Sequence, residues 1–199
     1  VALEFNRTGA PVNETIGLES LNLSEPNYLR ITGNAVLKVA GFADISGDFA
    51  FEKATIGMSP MDRPVIKVGA ANVKTTLGVA NAFGVKLTNG KLAMILDNGT
   101  TALDASGDVS LIGFSEVSLS GSVQMRFNNT LGEVHETFDV NGTPLSLDFG
   151  ANETNVARFE ALNATMTTPV SSLTGDFVFE KDGTTNEVFV GANNIDLFV

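Results

Sequence analysis

The sequence predicts an all-β protein: an antiparallel β-sandwich or flattened barrel of long bent hairpins with internal repeats, with a β-solenoid as the alternative. Three observations support this fold class. Side-chain polarity alternates with period two over long stretches, turn-forming dipeptides separate these stretches, and parts of the chain recur. Helical periodicity is almost absent from the 199 residues.

The alternation is clearest in residues 29–51 and residues 105–127, where apolar or small side chains occupy every second position. Period two puts these side chains on one face of a strand, which we predict to face inward. Both stretches are longer than the usual strand of about five or six residues. Glycines on the inward face, Gly33, Gly41 and Gly47, suit a bend, a bulge or a close backbone approach. We therefore predict a ribbon that turns corners between sheets.

Internal repetition is visible at the level of short motifs. Residues 46–53 (SGDFAFEK) recur as residues 174–181 (TGDFVFEK), and residues 68–73 (VGAANV) recur as residues 190–195 (VGANNI). Such recurrence is typical of duplicated structural units. The predicted organisation is a less regular N-terminal strand and loop segment, 1–28, and a repetitive antiparallel β body, 29–199, with copies near 29–53, 105–127 and 172–181.

Asparagine-glycine and aspartate-glycine pairs mark the predicted reversals, because both readily adopt the positive φ angles of tight hairpin turns. Across two of them the apolar faces coincide, with Leu87 opposite Leu92 and Phe138 opposite Leu145. This agreement predicts successive antiparallel hairpins. The predicted reversals lie at residues 88–91, 97–100, 140–143 and 181–184.

Composition excludes several classes of function. The formal net charge is -11 and the pI is about 4.4, which disfavours nucleic acid and anionic membrane surfaces as partners. No stretch approaches the roughly 18 consecutive apolar residues of a membrane span, so we predict no transmembrane segment. The chain has no cysteine, which removes disulfides, thiolate nucleophiles and cysteine-ligated zinc.

Asparagine-x-serine/threonine triplets are frequent and predict an extracellular or cell-surface glycoprotein. The same triplets are also turn-forming, and both interpretations suit an exposed β-protein. The candidate glycosylation sites are Asn6, Asn13, Asn22, Asn98, Asn128, Asn141, Asn152 and Asn163.

No constellation of catalytic residues is recognisable, and we predict that the protein is not an enzyme. The sole imidazole, His135, falls on the outward side of a predicted strand, and no Gly-x-Ser-x-Gly motif accompanies it. We assign no cofactor and no metal-binding residue. Calcium is the one ion that the oxygen-rich turns at Asp97 and Asp139 suggest, but no EF-hand spacing occurs and turn chemistry is favoured.

Two phenylalanines break the pattern. Phe42 and Phe114 each lie in the outward phase beside a glycine, so they either cap the core at a bend or contact a neighbouring subunit. Both ends of the chain lie within an alternating stretch, and we expect open strand edges there. The predicted assembly contacts are Val1, Leu3, Phe5, Phe42, Phe114, Ile195, Leu197 and Val199.

Residues 29–199 resemble repeat units of giant extracellular adhesin-like and matrix proteins, the class of LEPR-XLL-type tandem β-repeats. The resemblance is carried by residues 46–53 (SGDFAFEK), 68–72 (VGAAN), 102–107 (ALDASG) and 113–114 (GF), whereas residues 1–28 and the short third copy depart from the pattern. It implies structural motifs and no catalytic residues.

We therefore expect a structural repeat or subunit of an extracellular or cell-surface filament, stalk, sheath or adhesin. Its partners would be itself or neighbouring repeats, assembled end to end through β-strand edges. The alternative is a carbohydrate- or surface-binding β-sandwich module that contacts surface glycans. That alternative requires Phe42, Phe114 and Tyr28 to cluster in one concave patch.

Overall fold

The computed structural model describes residues 1–23, 26–39, 43–56, 63–79, 83–183 and 185–199, and it confirms the all-β antiparallel fold class. The strands are β1 Ala2–Phe5, β2 Val12–Ile16, β3 Glu19–Leu23, β4 Leu29–Val39, β5 Ala43–Ile56, β6 Arg63–Val79, β7 Phe83–Asp97, β8 Thr100–Ile112, β9 Ser118–Asn128, β10 Val134–Val140, β11 Thr143–Phe149, β12 Val156–Thr167, β13 Ser172–Asp182 and β14 Val188–Phe198. A short 3-10 helix spans Ala151–Glu153. Within the described ranges no helix is long and apolar enough to cross a bilayer.

Ten strands form one open antiparallel sheet in the order β1-β4-β5-β6-β7-β8-β9-β12-β13-β14. The remaining strands form two hairpins, β2–β3 and β10–β11, which interrupt the sheet between β1 and β4 and between β9 and β12. The sheet is therefore a meander with two hairpin insertions. Its two edges are β1 and β14.

Each long alternating stretch consists of two antiparallel strands. Residues 29–53 form β4 and β5, with Ile31 opposite Phe51, and residues 105–127 lie in β8 and β9, with Ala105 opposite Met125. The prediction of a ribbon that turns corners between sheets is wrong. A reversal that keeps the side-chain phase leaves the period-two pattern intact, so the pattern does not reveal the turn.

The two faces of the sheet differ in chemistry. On the side that we call the apolar face, Ile31, Phe51, Val68, Met94 and Leu103 lie opposite one another in a row across five strands. The other side, which we call the charged face, carries the ion-paired side chains. These are Arg30, Glu52, Lys67, Asp104, Arg126, Arg158 and Glu180.

The buried core lies on the charged face, under the hairpin β10–β11. Alanines of the sheet leave room for the hairpin's large apolar side chains, among which Phe149, Leu147 and Val140 are fully buried. The face that the alternation predicts as inward is therefore not the one that the described chain covers. The sheet side of this core is formed by Ala50, Ala54, Val65, Ala71, Ala93, Ile95 and Ala102.

Charged groups hold the hairpin at its margins. Lys67 Nζ lies 2.8 Å from Glu136 Oε2 and 5.8 Å from the centre of the Phe138 ring. The Arg126 guanidinium lies 4.5 Å from the centre of the Phe149 ring. Each cation thus contacts both an acceptor and an aromatic face, which compensates for the loss of water around it.

The predicted turns have different outcomes. The reversal at residues 140–143 is confirmed with its register, since Phe138 lies opposite Leu145, and the reversal at residues 97–100 is confirmed as well. The reversal predicted at residues 88–91 is wrong, because β7 runs through Asn89 and Gly90 without turning. At that point the strand contains a β-bulge.

A longer repeat becomes visible in the structure. Phe51 pairs with Val68 just as Phe179 pairs with Val190, so β13–β14 repeat β5–β6. By the same comparison β12 repeats β4 and β9 repeats β1. Equivalent residues are 122 to 128 positions apart, as for Val68 and Val190 or Phe51 and Phe179. One unit therefore contributes six strands to the sheet and one hairpin to the charged face.

Replacement of Gly69 by alanine tests the docking of the hairpin. A Cβ at Gly69 would lie 2.5 Å from Val140 Cγ2, whereas at the equivalent Gly191 the nearest atom, Val178 Cβ, would be 3.9 Å away. We expect Gly69→Ala to lower the free energy of unfolding by ~1–3 kcal/mol through overpacking. Gly191→Ala should be close to neutral. Urea unfolding of both variants under monomeric conditions makes the comparison, and equal losses would contradict it.

Candidate functional site

A row of β-bulges crosses the sheet. Four asparagines adopt positive φ angles inside long strands, and at each one the pairing register shifts by a residue. Asparagine tolerates this backbone region better than most residues. The four are Asn72 in β6 (φ 53°), Asn89 in β7 (φ 54°), Asn163 in β12 (φ 50°) and Asn194 in β14 (φ 53°).

An aspartate on a neighbouring strand accepts a hydrogen bond at each bulge. Asp48 accepts from the side-chain amides of Asn72 at 2.9 Å, Asn34 at 3.2 Å and Asn141 at 3.1 Å. These bonds lower the pKa of Asp48, with Asn72 as the largest cause. Because Asn141 belongs to the turn of β10–β11, Asp48 joins two strands of the sheet to the covering hairpin.

The arrangement recurs at two other aspartates. Asp108 accepts from Asn89 at 2.8 Å, and Asp176 accepts from Asn194 at 2.6 Å and from the backbone N–H of Asn163 at 2.8 Å. The pKa of Asp108 is lowered chiefly by the Asn89 bond, and that of Asp176 chiefly by the Asn163 bond. All three aspartates thus serve as acceptors that fix a bulge.

The glycine before each aspartate has a matching role. A Cβ at Gly47 would lie 3.0 Å from Ala71 O, and a Cβ at Gly107 would lie 3.2 Å from Thr88 O, so the bulged strand occupies the space of a side chain. This accounts for the Gly-Asp pair that residues 46–53 and 174–181 share. The first segment supplies this pair for the bulge at Asn72, and the second supplies it for the bulges at Asn163 and Asn194.

The aspartates at the predicted calcium-like turns have protein partners. Asp97 Oδ2 lies 3.0 Å from Arg63 Nε, and Asp139 Oδ1 accepts from the Gly142 N–H at 3.1 Å. Asp139 also pairs with Arg30 at 3.3 Å. In the part of the chain that the structure describes, no group of three or more histidine, aspartate or glutamate side chains is placed to hold a metal ion.

The apolar face has no second layer in the described chain. Phe51, Met125, Phe159 and Phe179 are each more than 40% exposed. The sheet curves so that side chains from β5 to β9 line an apolar groove of about 440 Å³ on this face. The exposed side chains of this face include Leu3, Ile31, Phe51, Ile66, Leu96, Met125, Phe159, Phe179, Val188 and Val190.

The two edge strands carry most of the predicted assembly contacts. Leu3 and Phe5 are exposed on β1, as are Ile195 and Leu197 on β14. Val1 and Val199 are exposed beside these strands. Every residue of β14 is exposed.

The other two predicted contacts lie elsewhere. Phe114 is half-exposed in the β8–β9 connection and packs edge-on against Phe83, with ring centres 6.5 Å apart. Phe42 lies outside the described residues. Tyr28 is buried at the opposite end of the strands, where its hydroxyl donates to Glu4, and burial raises its pKa to about 12. Tyr28 and Phe114 therefore do not share the concave patch that the ligand-binding alternative requires.

The candidate glycosylation sites fall into two groups. Asn6 and Asn128 are buried, and their amides donate to backbone carbonyls of Ala10 and of Gly132 and Glu153. A glycan there would break these bonds, so the glycosylation prediction does not fit these two positions. The other six side chains are exposed: Asn13, Asn22, Asn98, Asn141, Asn152 and Asn163.

His135 lies on the outward side of β10, as its position in the alternation predicts. It contacts the carboxylates of Asp148 on β11 and Glu133, and these contacts raise its pKa, with Asp148 as the larger cause. In the described chain the ring nitrogens of His135 contact these two carboxylates and no serine hydroxyl. The contact between His135 and Asp148 is therefore a cross-strand link within the hairpin.

Comparison of the chain with protein-family models, curated proteins and solved structures found no match. The resemblance to extracellular tandem repeats therefore stays a prediction. The surfaces that the structure itself offers for function are the two edges, the apolar face and the β2–β3 hairpin.

The bulge hydrogen bonds predict a specific pH dependence. The folded state lowers the pKa of Asp48, so its carboxylate stabilises the fold above the ordinary value of 3.8, and this contribution is lost as the pH falls through the folded pKa. We expect Asp48→Asn to destabilise the protein at pH 7, with a difference from wild type that shrinks in strong acid. Urea unfolding at both pH values measures it. Asp196→Asn on the exposed β14 is the control, and an unchanged difference would contradict the assignment.

His135 allows a direct titration because it is the only histidine. We expect its NMR-detected pKa to lie above 6.5 and to fall toward 6.5 in Asp148→Asn, since the hydrogen bond to Asp148 favours the protonated ring. The corresponding stabilisation is present at low pH and disappears as the pH rises through the folded pKa. An unshifted pKa in the wild type would contradict the described contact.

Proposed function

We propose that this chain is a structural subunit of an extracellular or cell-surface filament, stalk, sheath or adhesin, and that it assembles end to end through the edges of its sheet. The proposal rests on the unpaired outer edges of β1 and β14. Each is an edge strand whose equivalent within the same sheet is paired on both sides.

The equivalence identifies which side of each edge strand is incomplete. β14 repeats β6, and β6 pairs with β5 on one side and β7 on the other. β1 repeats β9, and β9 pairs with both β8 and β12. The free edge of each terminal strand thus has a backbone geometry that accepts another antiparallel strand elsewhere in the molecule.

Apart from the bulge at Asn194 in β14, the edges also lack the features that keep edge strands apart. Soluble sheets usually protect an edge with lysine, proline or inward-pointing charge. β14 contains Asp196 as its one charged residue, and β1 contains Glu4. Neither strand contains proline or lysine. Pairing at these edges therefore needs little charge neutralisation, although the chain as a whole is strongly acidic.

A mechanical role follows from the same geometry. Pairing at the edges extends the sheet at right angles to its strands, so a pull along the assembly loads all the backbone hydrogen bonds of one junction together. The fixed bulges keep the strands of successive units in register. The exposed asparagine triplets and the acidic composition support an extracellular location within this proposal. The ligand-binding alternative has no comparable support, because Tyr28 and Phe114 lie at opposite ends of the strands.

Charge placed on either edge tests the proposal. Val190→Lys on β14 and Leu3→Lys on β1 alter exposed side chains, so each variant should fold normally. We expect each to weaken self-association at least tenfold, or ~1.4 kcal/mol, because a lysine at the contact must lose water to pair. Sedimentation equilibrium gives the association constants, and negative-stain microscopy shows whether filaments form.

Leu131→Lys in the β9–β10 connection is the matched control, since this leucine is 75% exposed and β9 lies in the interior of the sheet, away from both edges. It should associate like the wild type. Absence of wild-type association across the accessible concentration range would contradict the proposal. Association that neither edge variant changes would also contradict it.

A further inference from the structure

The β2–β3 hairpin is a second copy of the β10–β11 hairpin. In β2–β3, Val12 lies opposite Leu23 and Glu14 lies opposite Leu21. In β10–β11, Val134 lies opposite Phe149 and Glu136 lies opposite Leu147. The two hairpins therefore present the same pattern of side chains on the same face, and β2–β3 is the shorter of the two.

The turn that leads into each hairpin is also the same. Asn6 Oδ1 accepts from the N–H and the hydroxyl of Thr8, and its amide donates to Ala10 O at 2.8 Å. Asn128 Oδ1 accepts from the N–H and the hydroxyl of Thr130 in the same way, and its amide donates to Gly132 O. Each asparagine ends or follows the preceding sheet strand, so the two hairpins leave their strands by a common route.

The two hairpins nevertheless have different surroundings. β10–β11 reaches back from β9 over the charged face of β8, β7, β6 and β5. The corresponding side of β1 is the free edge of the sheet. A hairpin that leaves β1 by the same route therefore projects past that edge, with no sheet of its own beneath it.

Exposure agrees with this placement. Phe138 and Leu147 of the β10–β11 hairpin are 6% and 0% exposed. Their equivalents in the β2–β3 hairpin, Ile16 and Leu21, are 70% and 41% exposed. An amphipathic hairpin of this kind is stable when its apolar face is covered by another surface.

The opposite edge of the sheet, at β14, has a surface that no hairpin covers in the described chain. On the charged face of β13–β14, Phe189 is 55% exposed. A Cβ at Gly191 would meet only Val178 of the neighbouring strand within 4 Å, whereas at the equivalent Gly69 it would meet Val140 of the hairpin. These residues lie at the β14 edge, which is separated from β1 by the whole width of the ten-stranded sheet. The two surfaces can therefore meet only between different molecules.

We propose that the β2–β3 hairpin docks on the charged face of β13–β14 in a second copy of this chain, where β14 and β13 take the places next to β1 that β8 and β7 take next to β9 within one chain. The inference rests on the proposed pairing of edges and adds a second contact to it. β1 extends the neighbour's sheet at β14, and the hairpin covers the sheet just beyond that junction. Leu21, whose equivalent Leu147 belongs to the strand that lies over β7 and β8, then covers β14 and lies close to Phe189 of the neighbouring copy.

Cross-linking tests the docking directly, because the chain has no cysteine of its own. Leu21→Cys and Phe189→Cys are prepared as separate variants, mixed and treated with a short bismaleimide. We expect a covalent heterodimer in the mixture, at least tenfold more abundant than with Ser20→Cys in place of Leu21→Cys. Ser20 is the matched control, since it neighbours Leu21 on β3 but points to the opposite face of the hairpin.

A second measurement separates this inference from the proposed function. Leu21→Asp should weaken self-association at least tenfold in sedimentation equilibrium, whereas Ser20→Asp should leave it near the wild-type value. Association that responds to Val190→Lys but not to Leu21→Asp would overturn hairpin docking and leave edge pairing intact. Absence of wild-type association would overturn both, and cross-linking of Leu21→Cys to itself would overturn the head-to-tail arrangement.

Discussion

The hydrogen bond between an aspartate and an asparagine of the adjacent strand sets the register of the sheet. Each such bond secures one extra residue in a strand of eleven or more, and the bulges at Asn72, Asn89 and Asn194 depend on it. A shift by one residue would move every apolar side chain to the other face. These polar contacts therefore protect the separation of the two faces, on which the hairpin, the edges and the apolar groove all depend.

The sequence was sufficient for the fold class and for local hairpins. Alternation and the turn at residues 140–143 predict strands, their phase and the pairing of Phe138 with Leu145, because these are properties of short segments. The same dipeptide at Asn89–Gly90 is a bulge, since a left-handed asparagine suits both structures. The choice depends on Asp108, which lies on the next strand and cannot be identified as the partner from local pattern.

The position of the core was harder to predict for a related reason. Alternation ranks the two faces by the size of their apolar side chains, and it favours the face that carries Phe51 and Val68. What the chain buries is the face with small residues, because Ala71 and Ala93 leave space for the β10–β11 hairpin. The long repeat was predicted only in part: the motifs at residues 46–53 and 174–181 belong to it, but the hairpins differ in length, and the copy predicted at residues 105–127 lies in β8 and β9, which do not repeat β4 and β5. The matching turns at Asn6 and Asn128 were nevertheless visible as identical Asn-x-Thr triplets.

The overhang of the β2–β3 hairpin gives the molecule a direction. Its two extremities are unlike, so a chain of copies joined in this way has no twofold axis at the junction and no built-in number of members. Such an assembly has a polarity: one end carries an uncovered hairpin, and the other end carries an uncovered edge strand. In the proposed assembly, a copy with a truncated hairpin joins normally through its β14 edge and extends the chain poorly at its hairpin end.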